Sequence, residues 1–188
     1  MEKLYNPRLE LGRLKIEHSK TQQSYVEWLY EEFRDWVRTK PRERTRIAFG
    51  KLVTKYQFCT YGHTILGEFH KRFYSGRTKI VPNDIWKDIT PLSLAVWYMD
   101  DGSIKSKRHK GVFLNTQGFT ENDILKLQEM LEQNFGISST TRNDKEGKQI
   151  YLGGEAGEKF CLLIHPYVIP SMRYKIPQSL RLTELPKE

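Results

Sequence analysis

Apolar residues recur at three- and four-residue intervals in four stretches of the chain, and this spacing predicts amphipathic helices. In the first stretch, Ser19 and Thr21 can cap a helix that ends near Arg38. In the third, Thr120 caps the helix and Gly136 ends it. The four stretches are Thr21 to Arg38, Ile65 to Phe73, Thr120 to Gly136 and Glu155 to His165.

Other segments alternate between apolar and polar residues, which predicts strands with one solvent-exposed face. From Arg8 to His18 the alternation is interrupted at Gly12, so we expect a strand pair or a bulged strand there. A basic stretch, Arg42 to Arg46, leads into the second of the predicted strands. The remaining strands are predicted at Leu52 to Phe58, Val112 to Leu114, Ile137 to Thr141 and Gln149 to Leu152.

The second half of the chain repeats the order of the first. A strand followed by a Thr-led helix occurs in each half, and Arg77-Thr-Lys-Ile-Val-Pro82 parallels Arg173-Tyr-Lys-Ile-Pro177. A unit that occurs twice predicts two α/β half-domains related by an approximate twofold axis, a symmetry that suits duplex DNA.

The net charge of the chain indicates a class of binding partner. Lys and Arg number 31 against 23 Asp and Glu, a formal charge of +8. This excess favours binding to a polyanion such as nucleic acid, with a merely basic soluble protein as the alternative.

Two function classes receive no support from the sequence. Cys59 and Cys161, the two cysteines, each lie in an apolar run typical of a buried core, which predicts neither a disulfide framework nor a zinc site. No apolar stretch approaches the length of a membrane span, and the N-terminus lacks the pattern of a signal peptide. We therefore expect an intracellular protein that does not bind a membrane.

The segment Leu94-Ala-Val-Trp-Tyr-Met-Asp-Asp-Gly102 carries the candidate chemistry. A helix is predicted to start at Thr90 and Pro91 and to end on two adjacent carboxylates. Negative charge is unfavourable at a helix C-terminus, so we expect a positive group there, and a divalent cation is the natural candidate. The alternative is a simple Asp-Gly turn.

This segment resembles the signature helix of the LAGLIDADG homing endonucleases, in particular the monomeric, intron-encoded members with two repeats. The similarity extends through Phe113-Leu-Asn-Thr-Gln-Gly-Phe-Thr120, His165-Pro-Tyr-Val-Ile-Pro170 and Met172-Arg-Tyr-Lys-Ile-Pro177. It covers nearly the whole C-terminal half and, more loosely, the N-terminal half.

The resemblance implies an α+β fold of two pseudo-twofold-related αββαββα half-domains whose saddle-shaped antiparallel sheets lie over double-stranded DNA. Residues 1–90 would form the first half-domain, without its motif helix. Residues 91–188 would form the second, with a motif helix at 91–102. In this family two such helices pack together, and the protein cuts both DNA strands across the minor groove.

By position, the resemblance assigns the metal-binding, catalytic carboxylate to Asp101, with Mg²⁺ or Mn²⁺ as cofactor. Hydrolysis of a phosphodiester needs an oriented water and relief of charge on the phosphate, which carboxylate-bound hard cations provide. Asp100 should face another direction and shape the turn. Lys79 and Lys175 match basic residues that the family places near the scissile phosphates, with ordinary surface lysine as the alternative.

Other polar residues on or near predicted strands suit contacts to base edges and phosphates in the major groove, although each could equally face solvent. In the first half they are Arg13, Lys15, Glu17, Arg44 and Arg46. In the second half they are Asn115, Thr116, Gln117, Arg142, Asn143 and Lys145.

The first repeat departs from the family pattern. Seven residues precede Arg8, too few for an apolar helix ending in Asp-Gly, and Glu2 is the carboxylate nearest the expected place. The chain could be a truncated piece of an active monomer, a degenerate relative that binds DNA or RNA, or a homodimer paired through its motif helix. An unpaired motif helix also predicts an exposed apolar face and self-association.

Three functions therefore remain open. The first is a metal-dependent, site-specific endonuclease of a long duplex target, acting as a monomer by pseudo-symmetry. The second is a catalytically degenerate or truncated relative that acts as a DNA-binding protein or as an intron RNA maturase. The third is an α/β domain in which the motif occurs by chance.

Overall fold

The computed structural model describes residues 5–6, 8–48 and 50–181. The chain divides into two compact units, Met1–Gly76 and Arg77–Glu188. Both combine helices with antiparallel sheets, which confirms the predicted α+β class. No helix in the described part of the chain has the length and apolar character needed to cross a membrane.

The first unit is built around a three-stranded antiparallel sheet. Its strands and helices are β1 (Tyr5–Asn6), β2 (Leu11–Gly12), β3 (Lys15–Ser19), α1 (Gln23–Glu32), β4 (Arg42–Ala48), β5 (Lys51–Cys59), α2 (Thr64–Phe73) and β6 (Tyr74–Ser75). The sheet has the order β3-β5-β4. One face packs on α1, where Tyr25, Val26 and Leu29 are buried together with Phe58 of β5.

A second contact in this unit brings a strand and a helix together at two glycines. The short strand β2 lies against α2. A Cβ atom on Gly12 would strike the Leu66 carbonyl group, and one on Gly67 would strike the Glu10 carbonyl group. Strand and helix backbones can approach this closely because neither glycine has a side chain.

The second unit holds a four-stranded antiparallel sheet. Its strands and helices are β7 (Thr78–Lys79), α3 (Pro91–Asp101), β8 (Gly102–Ile104), β9 (Val112–Leu114), α4 (Glu121–Phe135), β10 (Thr140–Asp144), β11 (Gly147–Leu152), α5 (Gly154–Ile164) and α6 (Gln178–Arg181). The sheet has the order β10-β11-β9-β8. Helices α3, α4 and α5 contact its strands, and Leu114, Ile150 and Leu152 are fully buried.

The predicted repeat is visible in the connectivity. From α3 to α5 the second unit follows the order αββαββα, as expected. In the first unit the order β3-β5-β4 corresponds to β9-β11-β10 in the second. The expectation that no motif helix precedes Arg8, with Glu2 in its place, falls mainly on residues 1–4 and 7, which lie outside the described residues.

Two segments differ from their sequence-based predictions. The basic stretch at 42–46 is itself part of β4, which pairs with β5 along its whole length. The strand predicted at Ile137 begins at Thr140 instead, because Ile137 closes the end of α4. Its N–H donates to the Leu131 carbonyl, behind Gly136 in the left-handed conformation, and its side chain is fully buried.

Candidate functional site

The motif helix α3 starts and ends where the sequence predicts. Thr90 and Ser93 form a reciprocal capping box, and Pro91 occupies the first helical position. The helix then runs to Asp100 and Asp101, whose side chains are exposed in its last turn. Two carboxylates are therefore held at the end of a rigid element.

One face of this helix is buried, whereas Leu92 on the other is 42% exposed, and self-association through the helix receives no support. Leu94, Ala95, Tyr98 and Met99 have no exposed surface. Within the second unit the helix packs on α5 and on the 3-10 turn His165–Tyr167, and the Tyr98 ring meets Phe160 edge-on at 5.4 Å. Burial of these side chains stabilises the helix in its place.

Gly102 lets a strand follow the helix without a loop. Strand β8 begins at Gly102, and the Gly102 N–H donates to the Tyr98 carbonyl. A Cβ atom here would collide with the Tyr98 ring, so steric space requires glycine at this position. The Asp101 carbonyl accepts from the Asn115 N–H at 2.9 Å, which ties the helix end to the residue after β9.

The positive group expected at the helix end is the ammonium of Lys175. Its Nζ donates to the Met99 carbonyl at 2.5 Å and to the Asp100 carbonyl at 3.1 Å. Burial lowers the pKa of Lys175, and the nearby carboxylates of Asp100 and Asp101 oppose that shift. A lysine thus supplies charge at the place where the sequence favoured a divalent cation.

Lys79, the counterpart of Lys175 in the repeat, has a different environment. It lies on β7 with its side chain exposed, whereas Lys175 is partly buried. The structure therefore places the Lys175 ammonium near the carboxylates of Asp100 and Asp101.

The carboxylates at the helix end suit a hydrated hard cation. Among the described residues, no group of three or more His, Cys, Asp or Glu side chains could hold a metal ion. Mg²⁺ commonly keeps several waters and uses one or two protein carboxylates plus substrate phosphates. The exposed oxygens of Asp101, with Asp100 one position earlier, fit that donor set.

The second sheet has one face turned away from the helices, which we call the second open face. Ile150 and Leu152 point into the core, so by alternation Gln149 and Tyr151 point outward. Asn115 accepts from Gln149 at 2.7 Å, and Gln117 donates to Asp144 at 3.2 Å. These amides form a polar row in which donors and acceptors are held in fixed positions.

Basic groups flank an aromatic ring on the same face. The Arg142 guanidinium lies 5.3 Å and the Lys105 ammonium 5.4 Å from the centre of the Tyr151 ring. Both distances fit cation–π contacts, and both residues reach the outward side of the sheet. The sequence does not single out Lys105, Gln149 and Tyr151, because their common place depends on how the strands β8, β9 and β11 pair.

Three nominated residues of the second half lie elsewhere. Thr116 is 1% exposed, and its hydroxyl donates to the Lys148 carbonyl, so it stands on the core side of the sheet. Asn143 pairs with Lys148 and alternates with Arg142, which places it on the helix side of β10. Lys145 is exposed in the turn between β10 and β11.

The first sheet also has an outward side, the first open face, and it is strongly basic. Phe58, Tyr56 and His18 face α1, where they contact Tyr30, Glu27 and Tyr25. The alternate residues therefore face outward. They include the nominated Lys15, Glu17, Arg44 and Arg46, together with Arg42 and Lys55, which the sequence did not single out.

Glu17 is the carboxylate among these outward residues, and its pKa responds to the positive charges around it. Lys15 lies 2.9 Å from Glu17 and Arg46 lies 3.5 Å from it. The pKa of Glu17 is lowered, chiefly by the hydrogen bond from Lys15 and further by the charges of Arg46 and Lys55, against the effect of burial. Arg13 lies just before β3 and lines an open depression of about 380 Å³ with Arg38 and Tyr61.

Comparisons with known proteins agree with the motif. Cytochrome b mRNA maturase bI2 of Debaryomyces hansenii is 36% identical over 139 residues, which are 72% of this chain and 52% of that protein. This chain thus spans about half the length of that relative. Probable intron-encoded endonuclease 1 of Wickerhamomyces canadensis is 30% identical over 160 residues, 81% of this chain and 69% of that protein.

A solved structure and a family model complete the comparison. The homing endonuclease I-WcaI bound to its DNA recognition sequence matches with a TM-score of 0.81 at 29% identity, over 87% of this chain and 74% of that one. The model of the LAGLIDADG DNA endonuclease family matches residues 7–160, more than half of the chain. The resemblance inferred from the motif is therefore confirmed, and the chain belongs to the LAGLIDADG DNA endonuclease family.

Proposed function

We propose that this protein binds a long duplex DNA target with its two open faces and hydrolyses phosphodiesters at the end of α3, with Mg²⁺ or Mn²⁺ as cofactor. The observation that carries the proposal is the exposed Asp101 at the end of a capped, buried motif helix, in a protein whose sheets present basic and amide-rich outward faces. The similarity to a DNA-bound homing endonuclease supports it.

The two open faces suit different parts of a DNA target. On the first, Arg42, Arg44 and Arg46 alternate along one strand, a spacing that suits successive phosphates and guanine edges. On the second, Asn115, Gln117 and Gln149 offer both donors and acceptors, the chemistry that reads adenine and other base edges. Contacts to the DNA backbone set the register of the protein on its target, and contacts from the amides to base edges distinguish one DNA sequence from another.

Each residue at the helix end has a separate task in cleavage. Asp101 would hold the metal ion, which when bound lowers the pKa of water and offsets charge on the phosphate. The backbone of Asp101 is fixed by the Asn115 N–H, so its carboxylate starts from a defined place. Of the two nominated lysines, Lys79 has the exposed ammonium, and we assign it the contact with the scissile phosphate.

Cleavage of a randomised duplex library tests the proposal. With Mg²⁺ the protein should release ends that share one sequence, and with EDTA it should bind the same duplexes without cutting. Cuts in one strand only would indicate a single working metal site. Specific binding with no cleavage in Mg²⁺ or Mn²⁺ would refute the endonuclease.

A maturase function is the second candidate, because one of the similar relatives is described as an mRNA maturase. Group I intron RNA is then the ligand, and splicing is the readout. Splicing promoted equally well by the wild type and by Asp101→Asn would favour this function. If splicing instead required the Asp101 carboxylate, the maturase function would not be independent of the nuclease site.

A further inference from the structure

The open depression in the first unit has two arginines in its wall, and we call it the basic depression. Its volume is about 380 Å³, and its lining includes Arg13, Arg38, Thr39 and Cys59. Cys59 pairs with Lys15 across the sheet, and both side chains take the outward side of their strands. The basic depression therefore continues the first open face at the end of β5.

Two chain segments that line the basic depression are tied together by hydrogen bonds. Gly12 and His63 exchange backbone N–H···O bonds of 3.1 and 2.9 Å, and the Thr60 N–H donates to the Leu14 carbonyl at 2.9 Å. The buried Thr60 hydroxyl accepts from the Leu14 N–H at 2.9 Å. Arg13 lies between Gly12 and Leu14, so its backbone is held on both sides.

The Arg38 guanidinium is oriented by aromatic rings. Its central carbon lies 5.6 Å from the centre of the Tyr61 ring, a cation–π distance. The Tyr61 ring stacks on the Trp36 ring with 6.0 Å between their centres, and the Trp36 carbonyl accepts from the Tyr61 N–H at 2.9 Å. A guanidinium that is already oriented loses less conformational entropy when it binds a ligand.

We propose that the basic depression binds one phosphodiester group of the DNA backbone and so fixes one end of the target on the first open face. Guanidinium groups match phosphate oxygens with paired hydrogen bonds, and the Thr39 hydroxyl adds a donor. Among the described residues that line it, none has a side-chain amide or carboxylate, the groups that read adenine and cytosine. This inference rests on the proposed function, because the phosphate belongs to bound DNA.

Arg38→Ala tests the contact without disturbing the core, since Arg38 is exposed. Affinity for duplexes should fall roughly tenfold, about equally for all sequences, and the slope of log affinity against log salt should shrink by about 1. Arg38→Lys should recover only part of the affinity, because it lacks the paired donors. The matched control is Arg34→Ala, from an exposed arginine in the preceding 3-10 turn that pairs with Glu31. A wild-type slope in Arg38→Ala would overturn the proposal.

Uncharged backbone analogues locate the bound phosphate. Each phosphodiester of the target is replaced in turn by a methylphosphonate, and affinity is measured for the wild type and for Arg38→Ala. One linkage should cost the wild type roughly tenfold but cost Arg38→Ala almost nothing, because two changes that remove the same contact are not additive. Equal losses in both proteins at every linkage would overturn the proposal.

The Cys59 thiol gives a readout that needs no DNA. Cys59 is partly exposed in the basic depression, whereas Cys161 is 1% exposed and burial raises the pKa of its thiol to about 12, so iodoacetamide should modify Cys59 first. Inorganic phosphate, compared with chloride at the same ionic strength, should slow this reaction in the wild type but not in Arg38→Ala. If the wild type binds no duplex, the proposed function fails and this measurement alone decides the site. Equal rates in the two salts would then overturn it.

Discussion

Asp123 is a buried carboxylate that fixes the start of α4. It is 4% exposed, and it accepts from the Thr120 hydroxyl at 2.9 Å, the Val81 N–H at 3.2 Å and Lys126 at 3.4 Å. Burial acts to raise the pKa of this carboxyl, but the hydrogen bonds from Thr120, Val81 and Lys126 together lower it. The charged form is therefore favoured in the folded protein.

This pKa predicts an acid-sensitive contribution to stability. Because the folded-state pKa lies below the unfolded value of about 4, the contribution is present above pH 4 and is lost as the pH falls further. Asp123→Asn should cost about 1–3 kcal/mol at pH 7 and less at pH 3. Urea unfolding at both pH values measures the difference. An equal cost at both would contradict the assignment.

Gly102 gives a second prediction at the scale of one residue. Gly102→Ala places a methyl group against the Tyr98 ring and should destabilise the protein by about 1–3 kcal/mol, the usual cost of overpacking. Gly118→Ala is the control, since a Cβ atom there meets nothing within 4 Å. Thermal unfolding of both variants decides the matter, and equal melting temperatures would disprove the steric explanation.

The position of some site residues can be predicted from the sequence, whereas the direction and contacts of others depend on the fold. Asp101 was found from the motif alone, and the structure places it at the helix end as expected. Thr116 was nominated with Asn115 and Gln117, yet it points into the core, because side chains alternate and the register decides which face each takes. Lys175 was nominated from its position in the family resemblance, but its contacts depend on a fold that brings residues 98 and 175 together.

Elements with strong local signals were predicted well. Helices α3 and α4 start directly after Thr90 and Thr120 because these residues cap them, and α4 ends before Gly136 because glycine accepts a positive φ of 58°. Strand β4 was missed because its charged residues give it no apolar face, and its pairing with β5 is a tertiary contact.

The contact between α2 and β2 predicts a large effect from a small substitution. Gly67→Ala would push a methyl group into the Glu10 carbonyl, a backbone group that cannot rotate away. We expect a loss of about 3 kcal/mol or more, at the upper end for overpacked sites. Gly62→Ala in the same unit meets only ordinary contacts, from 3.5 Å, and should cost less than about 1 kcal/mol. Chemical denaturation measures both, and similar losses would contradict the close approach.

At the scale of the whole molecule, the formal charge of +8 predicted an anionic partner but not where that partner binds. The register between β4 and β5 gathers alternate basic residues on the first open face, where we propose that DNA binds. The repeat could be predicted from the order of motifs. The pairing of strands could not, since it rests on contacts between residues far apart in sequence.

The first open face predicts how DNA affinity depends on salt concentration. Replacing Arg44 and Arg46 together by Ala should weaken DNA binding about tenfold or more and reduce the slope of log affinity against log salt by about 2. The matched control replaces Arg34 and Lys71, which lie in helical segments and pair with Glu31 and Glu10. Titrations at several salt concentrations measure the slope, and an equal change in both double variants would contradict a localised DNA site.

The most direct test measures binding and cleavage on the same duplex for the wild type, Asp101→Asn and Asp100→Asn. Asp101→Asn should bind like the wild type and cut more than about 100-fold more slowly, a loss of roughly 3 kcal/mol of transition-state stabilisation. Asp100→Asn should keep most of the activity. Normal cleavage by Asp101→Asn, or loss of cleavage only in Asp100→Asn, would contradict the assignment of the catalytic carboxylate.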